Sequence, residues 1–138
     1  HSGREAVLTI LQNLATSLVK FQHPATGMWY QVVDKLERPD NWPETSCTIM
    51  FAYALAKAVR KGYLTPEYRA HAEKAYRHLL EECLYLDQDG NFYLTGIVTV
   101  GSLRDNADYD YYVTSEQRTN DFKGVGAFLY LCLEMEPA

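Results

Sequence analysis

Basic residues are scarce in this chain: 13 lysines and arginines against 18 aspartates and glutamates leave a net charge of −5. A nucleic-acid partner calls for a basic footprint, so that class is set aside. Long apolar runs are also missing, the longest being Val125 to Leu133, well short of the ~20 residues a spanning helix needs. Cysteine is limited to Cys47, Cys83 and Cys132, with no Cys-x-x-Cys pair and no Cys/His spacing for zinc. The three are read as buried thiols inside helices, and neither a metal nor a cofactor is expected. The chain opens His1-Ser2-Gly3, without a methionine or a signal peptide. It reads as a piece cut from a longer protein, and that opening gives no address from which to infer a compartment.

What is present is a pattern that occurs twice. Each copy is an amphipathic helix, a Gly-aromatic-aromatic strand, a polar loop and a helix apolar almost all round. The first runs from Val7 to Phe21, through Gly27-Met28-Trp29-Tyr30, to Thr45 to Val59. The second runs from Tyr68 to Leu84, through Gly90-Asn91-Phe92-Tyr93, to Asp121 to Leu133, 63 residues further along between the two glycines. That period exceeds the common solenoid repeats and fits a pair of helices plus an extended loop. With 138 residues, 47% of them hydrophobic, the chain has the size of one domain.

The helix faces predict how the copies pack. Val7, Ile10, Leu11, Leu14, Leu18 and Phe21 recur at helical spacing, with Gln12, Asn13, Thr16 and Lys20 between them, which marks a helix with one wet face. Pro66 starts another such helix, with Ala72, Ala75, Tyr76 and Leu79 opposite Glu73, Lys74, Arg77 and Glu81. By contrast Ile49 to Ala58 and Val125 to Leu133 leave no polar stripe, as expected of helices enclosed on all sides. Outer and inner helices in alternation predict an all-α fold, a portion of an α/α toroid in a single domain over residues 1–138. A four-helix bundle is the competing architecture, since it needs only one apolar stripe per helix.

Alternating hairpins send every outer-to-inner connection to the same end. The segments His23 to Glu44 and Tyr85 to Asn120 should therefore share one rim, and both are longer than ordinary helix connections, a mark of functional loops. The turn Arg60 to Pro66 at the opposite end is short. The rim carries Trp29, Tyr30, Trp42, Phe92 and Tyr93, followed by Tyr109, Tyr111 and Tyr112 in a run to Val113 that reads as a strand. Flat rings with polar tips can stack on sugars while bonding hydroxyls; Trp29, Phe92 and Tyr93 could equally plug the end of the core.

The string Thr26-Gly27-Met28-Trp29-Tyr30-Gln31-Val32-Val33-Asp34, then Glu44-Thr45-Ser46, then Phe51 to Lys57 and Arg60-Lys61-Gly62-Tyr63-Leu64, resembles the unsaturated rhamnogalacturonyl hydrolases, of the glycoside hydrolase family 105/88 kind. Leu94-Thr95-Gly96-Ile97-Val98 and Thr119-Asn120-Asp121-Phe122-Lys123-Gly124-Val125-Gly126 extend the resemblance over nearly the whole chain. Proline is usual in the family where Phe122 stands. The resemblance implies an (α/α)6 barrel that removes a 4,5-unsaturated uronic acid from pectin-derived oligosaccharides by protonating and hydrating the sugar's double bond. It also implies a general-acid aspartate and a Trp-Arg-Gly-rich motif ahead of the region matched, so the chain is similar to the C-terminal half of such an enzyme.

No local carboxylate replaces that acid by sequence. A proton donor near neutral pH needs burial or a like-charged neighbour, whereas Asp121 and Glu44 sit at helix starts that favour the ionised form. Asp105, Asp108 and Asp110 read as a solvated acidic loop. Lys123, just inside the last helix, is the candidate cation for a uronate, with Arg104 a weaker one. Resemblance and rim position together make Trp29, Tyr30, Trp42, Glu44, Asn120, Asp121 and Lys123 the candidate substrate-binding residues. Two function classes are carried forward: part of a hydrolase that lacks the catalytic acid, or a helical domain that binds carbohydrate or protein without catalysis. A partial ring would also expose inner-helix residues such as Ile49, Phe51, Phe128 and Leu131, which predicts a two-fold homodimer.

Overall fold

The computed structural model describes residues 2–102 and 107–136; Arg104 and Asp105 lie outside them. The long helices are α1 (Arg4–Lys20), α2 (Thr45–Arg60), α3 (Glu67–His78) and α5 (Phe122–Met135), close to the positions their periodicity predicts. α2 is the centre of the molecule, packed against α3 on one side and α5 on another. Its small residues Ala52, Ala56 and Ala58 allow those neighbours close, and Ile49 and Leu55 fill the space between. α3 contributes Ala72 and Ala75 to the same core, and α5 contributes Gly124, Phe128 and Leu131.

The loops are tied down by short strands. After α3 the chain passes through a wider, π-type turn at Leu79–Cys83 into β1 (Leu84–Leu86), which pairs antiparallel with β2 (Phe92–Leu94). β3 (Ile97–Val98) pairs with β4 (Gln117–Arg118) just before α5. Two glycines permit close approaches here. A Cβ on Gly124 would lie 2.5 Å from Ile97 Cδ1, so its absence lets β3 rest on the first turn of α5. Gly27 holds φ +73° with Ala75 N 2.9 Å from where a Cβ would sit, which places the first rim loop directly on α3.

Three expectations need correction. Tyr109–Val113 is a short helix, α4, not a strand, because Asp108 caps it by accepting the Tyr111 N–H at 3.0 Å. The first Gly-aromatic segment forms no strand ladder; it makes a single bridge, Tyr30 to Pro43, while only the second copy pairs as a hairpin. The inner helices are not enclosed on all sides, but the open positions are not the expected ones: Met50 on α2 and Leu129, Tyr130 and Leu133 on α5 are exposed, whereas Ile49, Phe128 and Leu131 are buried in the core and Phe51 is packed against it. The reason is that no element among the described residues stands where the exposed side chains point. α1 shows the same thing, since Gln12 bonds the Tyr63 carbonyl and Thr16 the Tyr68 hydroxyl while Val7, Ile10 and Leu14 face outward. A four-helix bundle would have turned that stripe inward.

Candidate active-site rim

The N-termini of α2 and α5 lie on the same rim, joined through a single strand residue. Glu44, the N-cap of α2, is buried, and its carboxylate accepts from the backbone N–H groups of Ser46 and Cys47, the Ser46 hydroxyl and the Val98 N–H. The carbonyl of Val98 in turn accepts from Lys123 Nζ at 3.0 Å, and that ammonium also meets Asp121 Oδ1 at 2.9 Å. Asp121 caps α5 by accepting the Lys123 N–H. One residue of β3 therefore links both caps, and Lys123, its side chain 31% exposed, bends back over the helix start.

Both Gly-aromatic segments reach these helix starts, but two residues out of the register their sequences suggest. The Trp29 carbonyl accepts the N–H of the cap residue Glu44, whereas in the second copy the Leu94 carbonyl accepts the N–H of Asn120, next to the cap. Leu94, not Phe92, thus takes the buried place, and Phe92 stays partly exposed. Asn120, with φ +56°, clamps this strand by accepting the Leu94 N–H and donating to the Phe92 carbonyl.

The aromatic candidates separate. Trp29 is 0% exposed and offers no ring face to a ligand; it stands edge-on to Phe51 and donates Nε1–H to the Leu18 carbonyl. Tyr30 is half-buried beside the His23 ring. Trp42 is also half-buried and donates Nε1–H to the Val113 carbonyl at 3.0 Å, while Gln31 donates to the Tyr112 carbonyl. These bonds bring α4 against the first rim loop. Sequence reasoning missed a further fastening there: Arg38 lies 4.3 Å over the Tyr109 ring, and the Tyr109 hydroxyl donates to Asp40 at 2.9 Å. Only the charge pattern Arg38-Pro39-Asp40 hinted at it.

The electrostatics suit acceptors. Where the surroundings shift a carboxyl, at Asp40, Glu67, Asp87, Asp121 and Glu134, they shift it down. At Asp121 the cause is hydrogen bonding from the side chain and then the backbone of Lys123. Burial, with the Glu44 charge second, pushes the Cys47 thiol up and keeps it protonated. Among the described residues no group of three His, Cys, Asp or Glu side chains could hold a metal. His71 on α3 is partly covered and bonds Gln22.

The model of Glycosyl Hydrolase Family 88 matches residues 1–138. The chain belongs to this family. Over 114 residues it is 42% identical to protein Atu3128 of Agrobacterium fabrum, covering 75% of this chain and 48% of that protein. It is equally similar to the 24.9 kDa protein in the picA locus of Rhizobium radiobacter. Among solved structures, a family 105 glycoside hydrolase of C. acetobutylicum superposes with a TM-score of 0.92 at 37% identity, over 97% of this chain and 38% of that one. A family 88 glycosyl hydrolase from Bacteroides vulgatus gives a TM-score of 0.73 at 27% identity, over 97% of this chain and 36% of its own. The fold is thus part of the (α/α)6 toroid of the family 88 and 105 hydrolases, and the chain spans about half the length of the curated relatives it matches.

The rim of this family 88 chain should be sensitive to acid. Asp121 titrates below its ordinary 3.8 in the folded state, so its contribution is complete above that value and disappears as pH falls through the lowered one. Urea midpoints measured from pH 5 downward should fall more steeply for the native chain than for Asp121→Asn. Parallel curves would show that the ionisation of Asp121 contributes nothing.

Proposed function

We propose that this chain is part of a hydrolase acting on unsaturated uronyl oligosaccharides, supplying part of the substrate rim but not the catalytic acid. One observation carries the second half: the two candidate acids are engaged as helix caps, Glu44 through both carboxylate oxygens and Asp121 through Oδ1. A general acid must present a proton to the substrate. A carboxylate surrounded by N–H donors is arranged to accept. The reading of the substrate rests on family membership and on the resemblance in the Gly27 to Asp34 and Thr119 to Gly126 strings.

Within that proposal the seven candidates divide by what they can reach. Tyr30, Trp42 and Lys123 are partly exposed at the rim, and Lys123 supplies a cation for a uronate carboxylate. Trp29, Glu44, Asn120 and Asp121 hold the backbone on which those three stand. Purified chain incubated with an unsaturated rhamnogalacturonan disaccharide should leave the ultraviolet absorbance of the double bond unchanged relative to buffer. Calorimetry with the same disaccharide should show weak binding that Lys123→Ala removes. Loss of absorbance beyond the control would overturn the missing acid, and binding untouched by Lys123→Ala would overturn the assignment of the rim.

A further inference from the structure

Two histidines stand at the start of the first rim loop, and their neighbours fix which ring nitrogen of each carries a proton. Gln22, just after α1, is buried, and its Nε2 donates to the Gly27 carbonyl at 2.8 Å and to the His71 carbonyl at 2.9 Å. Both partners can only accept, so the amide is oriented and its Oε1 faces His71 Nδ1 at 2.5 Å. Nδ1 of His71 therefore bears a hydrogen. His23 is the reverse case. Its Nδ1 accepts the backbone N–H of Thr26 at 3.2 Å, and a backbone N–H can only donate. The Thr26 hydroxyl accepts the Met28 N–H and stands 3.1 Å from the same ring nitrogen, with its own hydrogen free to point there. Nδ1 of His23 is thus bare, and the neutral ring carries its hydrogen on Nε2.

The turn that His23 braces sets where the rim loop goes. It is closed by the His23 N–H on the Met28 carbonyl and the Gly27 N–H on the His23 carbonyl, both at 2.9 Å. Gly27 rests on α3, Met28 and Trp29 are wholly buried, and the Tyr30 ring lies 5.3 Å from the His23 ring. The titratable and charged groups around it are Tyr30, Lys74 of α3, which donates to the Pro24 carbonyl, and His71, which is reached through Gln22. Among the described residues no ion pair reaches the His23 ring, so no carboxylate is placed to hold its charged form.

We propose that His23 is a pH-sensitive positioning residue for the first rim loop. The neutral imidazole accepts two hydrogen bonds, which keeps the turn shut and Tyr30 in place. The imidazolium donates at both nitrogens, so its Nδ1–H opposes the Thr26 N–H and the turn opens. His71 behaves oppositely: it already donates through Nδ1, and a second proton goes to Nε2 and leaves the bond to Gln22 intact. The stabilisation from His23 is therefore complete above the ordinary imidazole range and declines as pH falls through it.

Long-range nitrogen–proton spectra of the neutral rings should place the hydrogen on Nε2 in His23 and on Nδ1 in His71. His23→Asn is the matched variant, because its Oδ1 can accept the Thr26 N–H as Nδ1 does while the amide takes up no proton. On going from about pH 8 to about pH 5, where imidazoles titrate, the unfolding equilibrium constant of the native chain should rise roughly fivefold more than that of His23→Asn, the effect of one such hydrogen bond. The Tyr30 ring resonances should move along the same curve in the native chain and stay in place in the variant. His23→Ala, which lacks the acceptor at every pH, should be weaker than both at the upper end and should not show the extra decline. A hydrogen on Nδ1 of neutral His23, urea midpoints that run parallel in native and His23→Asn chains, or Tyr30 resonances indifferent to the titration each overturn the proposal. An alanine variant as stable as His23→Asn at the upper end overturns the brace itself.

Discussion

Trp29→Ala should lower the stability of the chain by about 4 kcal/mol, the range for large buried aromatics cut to a methyl. The ring is wholly buried, lies 5.4 Å from Phe51 in an edge-on arrangement, and donates Nε1–H to the Leu18 carbonyl at 2.8 Å. Truncation removes the apolar contact and one of two hydrogen bonds to that carbonyl, in the last turn of α1, which keeps only the Phe21 N–H at 3.1 Å. Because α1 has few other attachments to the body, among them Gln12 to Tyr63 and Thr16 to Tyr68, it should loosen first. Trp29→Phe keeps most of the volume and should recover more than half of the loss. Urea titrations followed by circular dichroism give both values, with Trp42 fluorescence as a separate report on the rim. A loss under about 1.5 kcal/mol would mean that the site collapses to fill the space, and that Trp29 is not what holds α1.

The helices were legible because each carries its own period. Val7 to Phe21, Thr45 to Val59 and the Asp121 start of α5 needed no distant information, and the structure moves their ends by at most a few residues. The resemblance of the Gly27 to Asp34 string pointed to the family that the whole chain matches. Enclosure was not legible. The all-apolar face of α5 says that a neighbour is wanted, but not whether this chain supplies one, and Leu129, Tyr130 and Leu133 remain exposed. α4 was misread because aromatic and β-branched residues favour strands, whereas the decision lay with one capping oxygen on Asp108.

At the rim, the residues could be picked out but their roles could not. Lys123 was placed at the start of the last helix, yet its two partners are Asp121, two residues away, and Val98, far back in the chain. Trp42 was read as a free stacking surface, and its bond to Val113 spans 71 residues. Such contacts depend on where two loops meet, and neither loop carries a period that would fix the meeting point. Trp29 illustrates the other limit: a tryptophan beside a glycine in a rim loop has the same sequence whether its ring faces solvent or the core.

Glu44→Ala should cost about 3 kcal/mol, from loss of an N-cap, typically ~1 kcal/mol, and from charge-assisted bonds whose buried donors are left unpaired. The donors belong to different parts of the chain. Ser46 and Cys47 are in the first turn of α2, whereas Val98 is the strand residue that Lys123 grips from its other side. A simple cap would release only the helix start. A clamp should also release β3, which rests on Gly124 at the start of α5, so the disturbance should reach the second inner helix. Glu44→Gln tests the chemistry: one amide oxygen can still accept, but the NH₂ group now faces donors, so only part of the loss should return. Urea titration gives the total, and amide exchange at Val98 separates the two accounts. Val98 exchanging as slowly in Glu44→Ala as in the native chain would reduce Glu44 to a cap for α2 and leave the two halves of the rim independent. Faster exchange at Val98, with Gly124 and Val125 of α5 following, is the expected result. It would mean that both halves of the rim are assembled around one buried carboxylate.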